Sequence, residues 1–239
     1  THLVDSLSKL NVSITKIFSP EHGFKGDEDA GKYISNRYDT TIGIPIISLY
    51  GKNKKPSKEE MQNIDVLVFD LQDVGVRFYT YLSTLHYVLE ACAENDIKVL
   101  VLDRPNPNGH YIDGPVLDTN FKSFVGLHPI PIVYAMTIGE YANMINGENW
   151  INDLCDLEVV KMINYNRNHI YELPVKPSPN LPNAKSINLY PSLCFFEGTN
   201  VSVGRGTDKP FQQFGSPYLK TYKHSFLPKS KPGSKFPKH

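Results

Sequence analysis

Four short stretches of this sequence concentrate side chains able to move a proton or hold a polar ligand. The first is Ser19-Pro20-Glu21-His22-Gly23-Phe24, the second runs from Asp70 through Gln72, Asp73 and Arg77 to Tyr79, and the third is Asp103-Arg104-Pro105-Asn106-Pro107. Carboxyl groups beside histidine, arginine or tyrosine are the raw material of general acid–base catalysis. Glu21 stands out among them. It lies between Pro20, which restricts the backbone, and a His22-Gly23 turn, where a solvent-facing acid has no folding reason to be. The fourth stretch, Cys194 to Thr207, alternates polar and apolar residues around glycines. Its Glu197, Thr199, Asn200 and Arg205 supply donors and acceptors of the kind a sugar needs, while the spacings of a phosphate-binding loop are absent.

Each stretch also has a plainer reading. Asp103 to Asn106 fits a turn closed by Asx hydrogen bonds. Asp70, Asp73 and Arg77 fit a structural ion-pair network. His22 fits a residue that only orients its neighbour, and the segment 194–207 fits a β-hairpin with a glycine-rich turn.

The first three stretches each follow a β-type apolar run, at 12–18, 66–69 and 99–102. Loops at the carboxyl ends of strands in an open α/β sheet diverge and leave a crevice. Glu21, His22, Asp73, Arg77 and Asp103 are therefore expected on one cleft. Further apolar runs lie at 44–49 and 130–134, and a helical period (Leu82, Leu85, Leu89, Cys92) separates 66–69 from 99–102. Leu3, Leu7 and Leu10 share a helix face ahead of the first run. This alternation predicts a parallel sheet, and runs apolar throughout, such as Val66-Leu67-Val68-Phe69, predict burial on both faces, hence a doubly wound α/β fold. A further helix is predicted from Thr137, with Glu140 reaching back in a capping box, to about Asn146-Gly147. After the run at 157–163 the chain becomes rich in Pro and Asn, then in Gly. This predicts a division into an α/β domain over 1–165 and a smaller subdomain over 166–239. The Lys-, Pro- and Ser-rich stretch 220–239 has no apolar period and reads as an extended or ragged tail.

At 239 residues and 40% hydrophobic content the chain can bury a real core. Lys+Arg and Asp+Glu stand at 25 each with no long block of either sign, which argues against a nucleic-acid groove or an anionic membrane surface as partner. No stretch approaches the roughly 18 apolar residues of a membrane span, and the first residues lack the layout of a signal peptide. Cys92, Cys155 and Cys194 are widely spaced and read as packing residues.

The motifs Ser-Pro-Glu-His-Gly-Phe (19–24), Phe-Asp-Leu-Gln-Asp-Val-Gly-Val-Arg-Phe-Tyr-Thr-Tyr (69–81), Leu-Asp-Arg-Pro-Asn-Pro (102–107), Met-Thr-Ile-Gly-Glu (136–140), Pro-Ser-Pro-Asn-Leu-Pro (177–182) and Phe-Glu-Gly-Thr-Asn-Val-Ser-Val-Gly-Arg-Gly-Thr (196–207) occur in this order. Together they resemble the exo-β-N-acetylmuramidase family of peptidoglycan recycling, long catalogued as a domain of unknown function, over residues 14–219. The resemblance implies a Rossmann-like, mostly parallel domain with a smaller α+β subdomain and an active-site cleft between them. It also implies an exported, periplasmic or cell-envelope setting, with Glu21 as the catalytic carboxylate. The family usually has a strand before the first helix and more chain after the point where this one stops. The chain therefore reads as truncated at both ends, and the strand at 12–18 is expected to lack a neighbour.

The implied reaction releases N-acetylmuramic acid from the non-reducing end of a peptidoglycan-derived disaccharide or muropeptide. Most glycosidases use two carboxyl groups, and a 2-acetamido sugar can supply the second group itself. Glu21 is read as the acid. Asp73, Asp70 and Glu197 are candidates for its partner, with Asp73 placed first. The candidate substrate contacts are His22, Asp70, Gln72, Arg77, Tyr79, Asp103, Arg104, Asn106, Asn180, Glu197, Thr199, Asn200 and Arg205. Arg77 or Arg205 is placed to pair with the lactyl carboxylate, since a guanidinium fork matches a carboxylate. No metal or other cofactor is implied. Two rivals stand beside this reading: a non-catalytic muropeptide- or sugar-binding protein, and a metal-dependent hydrolase using Asp70, Asp73 and Asp103 as oxygen ligands.

Overall fold

The structure is a computed structural model that describes residues 2–26, 37–39 and 43–237. Helix α1 (Leu3–Lys9) starts where the His2 side chain accepts the Val4 N–H. The β-type run that follows becomes a strand only at its end, as β1 (Ile17–Ser19). Its parallel partner is β3 (Ile44–Ser48), with Ile17 opposite Ile46. The next rung back would meet Pro45, which has no N–H to donate, so the ladder stops there. On its other side β3 pairs antiparallel with β2 (Arg37–Asp39).

A second sheet, wholly parallel, contains β4 (Val66–Phe69), β5 (Lys98–Leu102) and β6 (Leu157–Val160) in that order. Helix α2 (Tyr81–Ala93) connects β4 to β5 and helix α3 (Ile138–Gly147) leads from β5 to β6, and the two pack on β5 and on each other. The predicted capping box is present: the Glu140 N–H donates to Thr137 Oγ1 at 3.2 Å, and the Thr137 N–H donates to Glu140 Oε2 at 2.9 Å. Leu67, Phe69, Val99 and Val101 join Leu82, Leu85, Leu89, Ile138 and Ile145 in the main core. The protein is thus mixed α/β with parallel-strand sheets. Among the described residues the expected single sheet is two, because β1 is bonded only to β3 and β4 only to β5.

The run at 130–134 is not a strand of either sheet; only Val133 forms isolated bridges, to Val76 and Asp113. Pro129 and Pro131 remove N–H groups that a central strand would have to donate. The third parallel position belongs instead to β6, whose sequence Leu-Glu-Val-Val alternates half-buried and exposed residues, a weak strand signal.

Beyond residue 165 the regular structure is helix α4 (Ala184–Leu193) and a 3₁₀ turn, Cys194–Gly198. The hairpin expected over 194–207 does not form; Ser202 makes only an isolated bridge to Gly215. Pro191 lies inside α4 and cannot bond the Ile187 carbonyl, which Asn108 Nδ2 supplies at 3.4 Å while also donating to the Val74 carbonyl at 2.8 Å. A second core of Val74, Val76, Tyr79, Tyr81, Ile132, Leu181, Ile187, Tyr190, Val203 and Phe211 binds α4 and the loops around it to the segment after β4. The tail expected to be ragged is tied down in part. Lys229 donates its N–H to Gly206 O at 2.9 Å, and Lys231 bridges Ser234. Its final residues, 238 and 239, lie outside the described residues.

Candidate active site

Directly after β1 the chain reverses through His22 and Gly23, both at positive φ (72° and 77°). For histidine this left-handed conformation costs roughly 1 kcal/mol or more, and such outliers gather at functional sites. The reversal presents Glu21 to a cavity of about 520 Å³. Its carboxylate is held from two directions: Thr80 Oγ1, at the N-cap of α2, donates to Oε2 at 2.7 Å, and the Tyr50 hydroxyl also bonds the carboxylate. Burial first, then the charge and hydrogen bond of Glu21, pushes the Tyr50 hydroxyl up to about 12. The hydroxyl of Tyr81 donates to the Glu21 carbonyl at 3.3 Å.

A second carboxylate reaches the same cavity from the 3₁₀ turn. Glu197 Oε1 accepts from Arg205 at 2.7 Å, and Oε2 accepts the Cys194 thiol at 3.5 Å. Arg205 also donates to the Gly233 carbonyl at 3.1 Å, and Asn180 Nδ2 donates to that same carbonyl at 2.7 Å. Gly233 has φ +83°, and a Cβ there would stand 2.4 Å from Pro179, so no other residue fits without a shift. Tyr190 lies within electrostatic reach of both acids. Burial, then the Cys194 thiol and the Glu197 and Glu21 carboxylates, raise its hydroxyl well above the ordinary tyrosine range and keep it a neutral donor. The floor is closed by buried Tyr79, Leu181, Tyr190 and Phe211.

Of the residues singled out in the sequence, Glu21, His22, Tyr79, Asn180, Glu197 and Arg205 line this cavity. Tyr79 spends its hydroxyl on the Pro177 carbonyl at 2.8 Å. The others do not line it. Asp73 is buried, accepts from the Gly75 N–H at 2.6 Å and from the Tyr134 hydroxyl, and is pushed up to about 6 by burial, against which those bonds act. Asp103 clamps the start of α3, taking the Gly139 N–H and the Thr137 hydroxyl at 2.8 Å each. Gly139 is required there, since a Cβ would lie 2.8 Å from the Asp103 carboxyl carbon. Asp70 pairs with Arg104. Gln72 donates to the carbonyls of Asp73 and Pro105, at 2.7 and 2.8 Å. Arg77 donates to Pro115 O and Ile130 O, at 2.9 and 2.5 Å. Asn106 bonds the Met136 carbonyl and the Asn108 N–H, at 2.8 Å each. Thr199 and Asn200 are exposed outside the cavity wall.

The expected convergence of five residues is thus met by Glu21 and His22 and not by Asp73, Arg77 or Asp103. Their strand-end loops have buried N–H and C=O groups to satisfy, and these side chains do so. Among the described residues no group of three His, Cys, Asp or Glu side chains could hold a metal ion, so Asp70, Asp73 and Asp103 are not a ligand set. Sequence reasoning missed the aromatic lining, Tyr50, Phe78, Phe124, Tyr190 and Phe195, and the Thr80 partner of Glu21. The signal was present in the run Phe78-Tyr79-Thr80-Tyr81 and in Phe195-Phe196, which composition alone assigns to core packing.

The family model for the N-terminal part of the exo-β-N-acetylmuramidase NamZ matches residues 1–185, and that for the C-terminal part matches residues 188–238. The chain belongs to the NamZ family. It is 49% identical over 216 residues to the peptidoglycan β-N-acetylmuramidase NamZ of Bacillus subtilis (strain 168), covering 88% of this chain and 52% of that protein. Two crystal structures of DUF1343 family proteins from Bacteroides fragilis NCTC 9343 share its fold. One has a TM-score of 0.90 at 51% identity, covering 100% of this chain and 64% of its own. The other has a TM-score of 0.84 at 38% identity, covering 92% of this chain and 57% of its own. The chain therefore spans about half the length of the curated NamZ relative and less than two thirds of either solved one.

Proposed function

We propose that the full-length protein is a glycoside hydrolase that releases N-acetylmuramic acid from the non-reducing end of peptidoglycan fragments. The observation that carries this is the pair of carboxylates, Glu21 and Glu197, on one cavity floored by aromatic rings. Glycosidases of the common kind place two carboxyl groups about the scissile bond. The similarity to the Bacillus protein, which is named for this activity, supports the substrate class.

The partners of the two acids suit different tasks. Thr80 and Tyr50 are hydroxyls, able to donate or accept, so Glu21 keeps its hydrogen bonds whether protonated or ionised. It is the acid that gives its proton to the leaving oxygen. Glu197 is ion-paired with Arg205, and protonating it would discard that pair. It works as the carboxylate, either on the anomeric carbon or on water, or by orienting the substrate's acetamido group. Asp73 drops out of this role.

The same reading puts the protein in the cell envelope, where peptidoglycan fragments arise. No helix among the described residues is long and apolar enough to cross a membrane. The test is turnover of a chromogenic N-acetylmuraminide beside the matching N-acetylglucosaminide by the full-length protein. Release from the muraminide, with little from the glucosaminide, is expected. Binding without release favours the sugar-binding rival, and neither binding nor release overturns the proposal.

A further inference from the structure

The floor of the cavity is buried, but its mouth is not. Phe195 is 56% exposed and Val125 51% exposed, both on the lining. Phe195 does not hang free. Its ring meets Phe78 edge to face, with centroids 5.2 Å apart at 77°, a geometry favoured by the ring quadrupoles. It also rides on the 3₁₀ turn that carries Glu197 two residues later, so ring and carboxylate are fixed relative to each other. An exposed phenylalanine alone needs no explanation. One oriented by a second ring, at the mouth of a cavity holding two carboxylates, presents a flat apolar face to whatever projects from the floor.

We infer that Phe195, set by Phe78, is the stacking platform for the second sugar of the substrate, the one released as the leaving group. The inference rests on the function proposed above. An enzyme that removes a terminal unit seats that unit at the closed end, and the rest of the chain leaves through the mouth. A β-linked gluco-configured pyranose has all its substituents equatorial, so each ring face presents only axial C–H groups. Their slight positive charge meets the electron-rich face of a phenyl ring. The ligand class is thus an equatorially substituted N-acetylhexosamine attached to the terminal muramic acid.

The test uses the full-length protein carrying Glu21→Gln, which stops turnover, and compares binding of free N-acetylmuramic acid with binding of the disaccharide N-acetylmuramyl-N-acetylglucosamine. Adding Phe195→Ala is expected to weaken disaccharide binding about tenfold while free N-acetylmuramic acid changes less than about twofold, and Phe195→Trp is expected to restore the disaccharide. In the turnover-competent protein the same Phe195→Ala raises KM for the disaccharide more than it lowers kcat. Equal weakening of both sugars, or of neither, overturns the platform while leaving the hydrolase reading in place. If the Glu21→Gln protein binds neither sugar before any change at Phe195, the cavity is not a muropeptide site and both proposals fall.

Discussion

Two sets of carboxylates lie in the loops that follow the parallel strands or in the segment beyond them, and they differ in what their oxygens touch. Asp70, Asp73 and Asp103 follow β4 and β5: Asp70 Oδ1 is engaged by Arg104, Asp73 Oδ2 by the Gly75 N–H and the Tyr134 hydroxyl while its buried Oδ1 accepts no bond among the described residues, and Asp103 by the Gly139 N–H and the Thr137 hydroxyl. Glu21 and Glu197 are held by side chains at one edge and face a cavity at the other. The carboxyl end of a strand is therefore not sufficient evidence of chemistry. A loop with unmet backbone donors recruits its acids as structure, and an acid held by side chains at a cavity wall stays within reach of a ligand.

The comparison is broken most directly at Glu21. In the full-length protein, Glu21→Gln should lower kcat on the proposed substrate, N-acetylmuramyl-N-acetylglucosamine, by about 10²–10⁴-fold, with unfolding free energy within about 1 kcal/mol of wild type. Because an aryl leaving group needs less protonation, the loss on a nitrophenyl muraminide should be smaller; an equal loss on both substrates would reassign Glu21 to the base or nucleophile role. On the scaffold side, Asp103→Ala strips the α3 N-terminus of two acceptor contacts. It should cost about 2–3 kcal/mol, seen as a melting temperature roughly 5–10 °C lower, with kcat per folded molecule unchanged. A tenfold loss of kcat in that variant would put Asp103 at the substrate, as its candidacy for a substrate contact had it.

Asp73 sharpens the contrast through pH. Its folded value of about 6 lies above its ordinary 3.8, so its contribution to stability is fully present below about pH 4 and is lost as pH rises through 6. Asp73→Asn removes that dependence. The stability difference between wild type and variant, followed by urea unfolding, should move against wild type by on the order of 2–3 kcal/mol between pH 4 and pH 7. Parallel pH profiles would show that Asp73 is not the buried acid described here. The smallest effect is expected at Arg104, whose side chain is 40% exposed in its pair with Asp70. Arg104→Ala should cost about 1 kcal/mol or less and leave KM unchanged; a clear rise in KM would place it at the ligand.

The parts of this molecule legible in sequence were those set by short-range physics. The capping box at Thr137 and Glu140, the apolar strands β4 and β5, and the helical period of α2 all depend on neighbours a few residues away. So does the turn around Glu21, where His22 and Gly23 take positive φ. The run at 130–134 reads as a strand because its apolar content outweighs Pro131, and β6 gives a weak strand signal because its alternation is that of a half-exposed strand. That Glu197 lines the same cavity as Glu21 depends on how the turn at 194–198 is placed across the fold, which no local pattern encodes. The aromatic lining was hidden for another reason: a ring that floors a cavity and one that fills a core have the same neighbours in sequence.

The bonds that hold the cavity wall span long stretches of chain. Thr80 to Glu21 closes 59 residues, Asn180 to Gly233 closes 53, and Arg205 to Gly233 closes 28. Helices α2 and α3, by contrast, form from contacts within a few residues. Non-local closures are the slow steps of folding, since their entropy must be spent before they return any contact energy. In refolding, helix signal should therefore recover before the Glu197–Arg205–Gly233 wall is complete, and a sugar probe should report the native cavity last. A newly made chain would have its scaffold before it had its site.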